Sequence, residues 1–207
     1  MTRIKCCGMT RVADALLATQ LGADAIGLIF TARSPRQVTL AQGRLIVQAL
    51  PPFVASVALF MDDDARWVQQ VVDEVQPTLL QFHGGEVDAW CMQFGRPFLK
   101  AIAMGDGVAG LAGLRAYPHA AALLLDGHAR GAAGGSGHAF DWALLPAGLP
   151  QPMILAGGLD AQNVGAGIRA LHPWAVDVSS GVESAPGIKA ADKLAAFIRA
   201  VRAADAT

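Results

Sequence analysis

Short, nearly continuous apolar runs recur along this chain at a spacing too long for hairpins and suited to a strand followed by a crossover helix. The runs lie near Ile4–Cys7, Ala25–Phe30, Phe53–Phe60, Thr78–Phe82, Phe98–Ala103, Ala121–Asp126, Met153–Ala156 and Ala175–Ser179. Their starts are roughly 20 to 32 residues apart, the length of one strand plus its crossover. Runs apolar on both faces are what a buried parallel sheet requires. Amphipathic segments fill the gaps. Thr10 is placed to cap a helix over Arg11–Leu21, Thr39 one over Leu40–Leu50, and Asp62, Asp63 and Asp64 precede Ala65–Val75. Gly85 precedes Glu86–Phe94, Asp160 leads Ala161–Leu171, and a last helix covers about Lys189–Ala204 with Leu194, Phe197, Ile198 and Val201 on one stripe. The fifth helix, around Val108–Tyr117, and the sixth, around Phe140–Leu145, leave the weakest trace. Eight such units close into an α/β, single-domain (βα)8 TIM barrel over residues 1–207. A doubly wound open sheet is the alternative, and the even spacing without a second-domain break disfavours it.

Composition narrows the function classes. Hydrophobic residues make up 53% and charged residues 16% of the 207, enough apolar surface for one large core. A net charge of −1 with scattered basic residues offers no footprint for nucleic acid or an acidic membrane. The strongly apolar run Phe53–Met61 is too short to span a bilayer, and no apolar signal region follows Arg3 and Lys5. Three cysteines, two of them adjacent, make no disulfide framework. A reducing cytoplasm is the expected location.

A barrel carries its chemistry at the C-terminal strand ends, so each end is a candidate site. The first run ends Lys5-Cys6-Cys7-Gly8. Alternation puts Lys5 and Cys7 on one face and Ile4 and Cys6 on the other, so only one thiol reaches the mouth. Free cysteine is also a common core filler, which is the plain alternative. After the second strand, Pro35 stiffens the segment that carries Arg36, a fork able to receive a carboxylate, with Arg33 as the nearby competitor. Gln81 and His83 share a face at the end of the fourth strand, where His83 reads as a wall of the site. The sixth run ends in Asp126, a carboxylate closing a fully apolar strand, and the eleven residues from Gly127 to Gly137 include five glycines. Those glycines suit an anion or a closing lid.

Paired Gly157 and Gly158 follow the seventh strand, and Ser180-Gly181 follows the eighth with room for a short helical turn. Together they are the parts of a barrel phosphate site, where backbone amides hold the dianion. The first-principles expectation is therefore a phosphorylated ligand. Asp177 shares a face with Ser179, and the first and last strands are neighbours in a closed barrel. Lys5 and Asp177 are accordingly expected to pair inside it, since neither charge is tolerated alone.

Taken together, these stretches resemble the phosphoribosylanthranilate isomerase family. The likeness runs from Lys5-Cys6-Cys7-Gly8-Met9-Thr10 through Ser34-Pro35-Arg36, Gln81-Phe82-His83-Gly84, Asp126 and Gly134-Gly135-Ser136-Gly137. It continues through Phe140-Asp141-Trp142, Leu155-Ala156-Gly157-Gly158-Leu159 and Val176-Asp177-Val178-Ser179-Ser180-Gly181-Val182-Glu183. Cys6, Phe82, Ser136 and the pair Lys189-Ala190 depart from the usual pattern without removing a reacting group. The resemblance implies an Amadori rearrangement in tryptophan biosynthesis, with Cys7 as general base, Asp126 as general acid and Arg36 facing the anthranilate carboxylate. It also implies Gly157, Gly158, Ser180 and Gly181 around the phosphate. The substrate's own nitrogen forms the Schiff base, so no cofactor and no metal is expected. The expected partner is the small phosphorylated sugar-anthranilate substrate, on a monomer or homodimer.

The chemistry asks for opposite protonation states. A thiol titrates near pH 8.5, so Cys7 needs help to become a thiolate, and Lys5 can give it only partly if Asp177 neutralises it. Asp126 must keep its proton, which apolar neighbours favour. Rival readings remain open at this point. The histidine-pathway Amadori isomerase is expected to carry an aspartate in place of Cys7, and a pentose-phosphate epimerase calls for metal-binding histidines at strand ends. A non-catalytic phosphate-ligand sensor has no need of an acid and a base.

Overall fold

The protein is described by a computed structural model covering residues 1–105, 112–127 and 151–206. Eight parallel strands form a closed barrel: β1 Arg3–Cys6, β2 Ala25–Ile29, β3 Ala55–Phe60, β4 Leu79–Phe82, β5 Phe98–Ala103, β6 Ala122–Asp126, β7 Met153–Leu155 and β8 Ala175–Val178. Each strand pairs with the next, and β1 closes on β8 with Lys5 opposite Asp177 and Cys6 opposite Val178. Strand alternation then divides the apolar residues into layers. Val57, Leu99, Ala101, Leu124 and Ile154 fill the barrel interior. Ile4, Cys6, Ile26, Leu28, Phe60, Leu80 and Leu125 face outward into the larger core beneath the helices. In that outer layer Phe30, Phe60 and Phe82 stack along successive strand ends with ring centroids 6.0 Å apart.

Among the described residues the α-helices are α1 Val12–Leu21, α2 Leu40–Ala49, α3 Ala65–Val75, α4 Asp88–Met92, α5 Val164–Leu171 and α6 Ala191–Asp205. Helix α2 starts as expected, with Thr39 and Gln42 exchanging side-chain and backbone hydrogen bonds in a capping box. Asp64 caps α3 by accepting from the Trp67 amide at 2.9 Å, and Val68, Val71, Val72 and Val75 form its buried stripe. Four expected starts move, each because a side chain is used elsewhere. Thr10 does not cap α1: its hydroxyl donates to the Gly187 carbonyl, and Arg11 occupies the cap position. Helix α4 is shorter than Glu86–Phe94, since the Glu86 carboxylate accepts from the Asp62 and Gly84 amides and pairs with Lys100. Helix α5 begins three residues later than Ala161. Before it, Asp160 Oδ1 accepts from the Gln162 and Asn163 amides and forms a turn. Lys189 lies not in α6 but in an unanticipated antiparallel ribbon of β9 Glu183–Ala185 and β10 Ile188–Lys189.

Of the span Val108–Tyr117, residues 112–117 are described and contain a 3-10 turn, Ala112–Arg115; the rest of the expected helix lies outside the described residues. The helix expected around Phe140–Leu145 lies outside the described residues. After β8 the anticipated short helical turn is present as a 3-10 turn, Ser180–Val182.

Candidate active site

The strand ends converge on a cavity at the C-terminal mouth of the barrel, where this fold keeps its ligand sites. Cys7, Arg36, Asp126, Gly157, Gly158 and Ser180 all line it. Gly181 is not among the lining residues. It lies against the Leu159 carbonyl, where a Cβ would collide, so it serves by letting the loops after β7 and β8 touch. A second cavity at the opposite end of the barrel is lined mainly by aliphatic strand residues with Phe53 and Trp174.

Cys7 follows β1 directly and is held by its amide donating to the Val178 carbonyl at 2.8 Å. Its side chain packs with Ile29 and Leu59 at the barrel mouth, whereas Cys6 lies in the outer core. Alternation thus separates the two thiols as the sequence implied. Burial pushes Cys6 up to about 12, out of reach of base chemistry near neutral pH. Burial also raises Cys7; Lys5 and Lys189 oppose that rise and Asp177 reinforces it. Lys5 and Asp177 form the expected pair, Nζ to Oδ1 at 2.8 Å. Burial pulls the Lys5 ammonium down, but Asp177 and Cys7 outweigh it, so Lys5 stays charged.

Asp126 ends β6 and is buried, with its Oδ2 3.5 Å from His83 Nε2. His83 Nδ1 in turn meets Gln81 Nε2 at 3.3 Å. The Gln81 contact orients the ring so that Nε2 faces the Asp126 carboxylate. His83 is therefore more than a wall, because it touches the carboxylate. Lys100, buried on β5, donates to the Phe82 and Gly84 carbonyls and to Glu86, clamping the backbone on both sides of His83.

Arg36 and Arg33 separate clearly. Both line the cavity, but Arg33 is exposed and pairs with Asp62, while Arg36 is half-buried. Its Nε and Nη2 donate to the Glu183 carboxylate at 2.8 to 3.1 Å. Hydrogen bonding to Glu183 raises the Arg36 guanidinium further above its ordinary value. Burial would raise Glu183, but hydrogen bonds and charge from Arg36 and Lys189 hold it below the usual carboxylate range. This pairing leaves Nη1 and the second Nη2 hydrogen for a further acceptor. Gly157 and Gly158 both have positive φ, 83° and 62°, so the turn after β7 requires glycine. A Cβ on Gly157 would strike the Gly127 amide and come within 3.0 Å of Asp126 Oδ1.

Sequence reasoning missed Glu183 as the anchor of Arg36, and it missed Lys189. Glu183 was visible as a carboxylate beside the Ser-Gly turn, but nothing in the chain marked its partner. The run Gly134–Gly137 lies outside the described residues.

Fold and site together define a (βα)8-barrel enzyme whose polar machinery is gathered at the C-terminal mouth. The sequence profile described as N-(5'phosphoribosyl)anthranilate (PRA) isomerase matches residues 4–200. A curated relative from Xanthomonas euvesicatoria pv. vesicatoria, N-(5'-phosphoribosyl)anthranilate isomerase, is 53% identical over 99% of this chain and 95% of its own length. The crystal structure of phosphoribosyl anthranilate isomerase from Thermus thermophilus superposes with a TM-score of 0.87 at 39% identity, covering 98% of this chain and 99% of that one. A further crystal structure of the isomerase, in complex with reduced 1-(o-carboxyphenylamino)-1-deoxyribulose 5-phosphate, superposes at 0.83 and 32% identity, covering 98% and 100%. The chain belongs to the N-(5'-phosphoribosyl)anthranilate isomerase family.

Proposed function

We propose that residues 1–207 act as one catalytic domain that rearranges N-(5-phosphoribosyl)anthranilate to 1-(2-carboxyphenylamino)-1-deoxyribulose 5-phosphate, a step of tryptophan biosynthesis. The observation that carries this reading is that Cys7, Asp126, Arg36 and the Gly157-Gly158 turn line one cavity. Asp126 delivers a proton to the ribose ring oxygen, and the ring opens as the anthranilate nitrogen becomes an iminium. Cys7 then takes the C2 proton, and the resulting enol-amine relaxes to the ketone. The free edge of the Arg36 guanidinium receives the anthranilate carboxylate. The turns at Gly157-Gly158 and Ser180-Gly181 receive the phosphate. The related structure holding the reduced product analogue supports a ligand of this size and charge.

Among the described residues, no three His, Cys, Asp or Glu side chains cluster as metal ligands, and no helix is long and apolar enough to cross a membrane. Cys6, Cys7 and Cys91 are all free thiols, which supports a cytoplasmic location. The scattered basic residues favour a small-molecule partner over nucleic acid. Incubation with phosphoribosylanthranilate should deplete anthranilate-type fluorescence catalytically. Binding of the phosphorylated sugar without turnover would instead favour a phosphate-ligand sensor.

A further inference from the structure

We propose that Lys189 is the positioning residue of this site, fixing the base, the phosphate turn and the carboxylate clamp against one another. The inference rests on the roles given above to Cys7, Ser180-Gly181 and Arg36. The Lys189 side chain is 0% exposed. Its ammonium has three hydrogens, and each has a partner. One goes to the carbonyl of Cys7 at 2.6 Å, one to the carbonyl of Ser179 at 3.1 Å, and one to Glu183 Oε1 at 2.9 Å. Glu183 continues the chain, since its carboxylate holds Arg36 Nε and Nη2. The Lys189 backbone is tied as well, its amide donating to Asp14 Oδ2 at 3.0 Å.

A buried ion pair is weak support for stability, because apolar replacements of similar volume often serve as well. The choice of partners is what argues for function. Three carbonyl or carboxylate acceptors converge on one nitrogen, one just after β1 and two at the ends of the turn that follows β8, so Lys189 ties the Cys7 backbone to both ends of that turn. Charge points the same way. Lys5, Lys189 and Arg36 stand against Asp177 and Glu183 around Cys7, which leaves one positive charge for a Cys7 thiolate to balance. Asp14 is met by Arg11, and His83 and Asp126 face Cys7 only from across the cavity.

Lys189→Met removes both the charge and the three hydrogen bonds. In a variant shown folded by circular dichroism, kcat should fall at least about tenfold, and the acid limb of its pH profile should move up by about one unit. Alkylation of Cys7 by iodoacetamide at pH 7.5, read by mass spectrometry without substrate, should slow about tenfold for the same reason. Lys189→Arg, which keeps the charge, should restore much of the limb. A folded Lys189→Met with unchanged kcat, limb and alkylation rate overturns the proposal. Should Lys189→Met not fold, the isosteric Glu183→Gln breaks the link to Arg36 and should raise KM by more than it lowers kcat; an unchanged KM overturns the proposal instead. A wrong role for Cys7 itself reads out separately, as near-wild-type turnover of Cys7→Ser.

Discussion

A single peptide bond separates a thiol at the barrel mouth from one packed in the outer core. Cys6 and Cys7 share a backbone but not an environment, because alternation sends one to the helices and the other to the mouth. Burial works against Cys7 as a base, and the cations Lys5 and Lys189 work for it. In the free enzyme burial prevails, so the pH midpoint for Cys7 alkylation is expected above that of an ordinary thiol, with thiolate gained only as pH rises. A midpoint at or below the ordinary value would contradict that balance. Asp126, the proposed acid, has a different setting, a buried strand end beside the His83 imidazole. Cys7→Ser and Asp126→Asn should each lower kcat by about 10²- to 10⁴-fold, the usual worth of a positioned acid or base. KM should change little, because the proposed reading gives the carboxylate to Arg36 and the phosphate to the glycine turns. Steady-state kinetics of the two variants would check both statements, and near-wild-type turnover in either would remove that residue from its role.

Strands carried the information that was legible in advance, and contacts between segments carried what was not. All eight strands follow from the apolar runs, because burial on both faces leaves its mark on every residue of a strand. The helix starts were less legible. Thr39 caps α2 through its immediate neighbours, a local pattern, while Thr10 and Glu86 are diverted by partners far along the chain or on another loop. Cys7, Arg36 and Asp126 could be named because each closes or follows a strand. Lys189 could not, since the contact on which its proposed role rests joins residues 182 apart in sequence. Gly27 is a second example. It lies inside β2, where glycine costs strand stability, and the reason is the close approach of Cys7. A Cβ there would fall 2.6 Å from Cys7 Sγ and 3.0 Å from Cys7 Cα. Gly27→Ala should therefore displace the thiol and destabilise the barrel by about 1–3 kcal/mol, the usual cost of overpacking. Loss of kcat exceeding any rise in KM would tie the damage to Cys7; unchanged kinetics would show that the wall yields without moving it.

At the scale of the whole barrel, chemistry and closure are kept at opposite ends. The cavity holding Cys7 and Asp126 opens at the C-terminal mouth, while the first and last elements of the chain are joined near the N-terminal end of β1. There Asp205, on α6, accepts from the Thr2 amide at 2.9 Å and from the Thr2 hydroxyl at 2.7 Å. Arg202 donates to the Thr2 carbonyl and to the Gly22 carbonyl, binding the same helix to the start of β1 and the end of α1. Such a clip acts on the fold and not on the site, because no group in it reaches the cavity. Asp205→Ala leaves the buried Thr2 amide and hydroxyl without their acceptor, so it should lower stability by about 1–3 kcal/mol. Activity of the folded variant should match wild type. The deficit should also depend on pH. Burial would raise the Asp205 carboxyl, but the Thr2 hydrogen bonds, the terminal ammonium and Arg202 hold it below its ordinary 3.8. A carboxyl lowered on folding stabilises the native state fully above its unfolded value and loses that contribution as pH falls through the folded one. Urea unfolding of the two proteins should accordingly show the full gap at pH 7 and a narrowing one below pH 3.8. A gap that stays constant into acid would mean that Asp205 acts by packing and not by its charge.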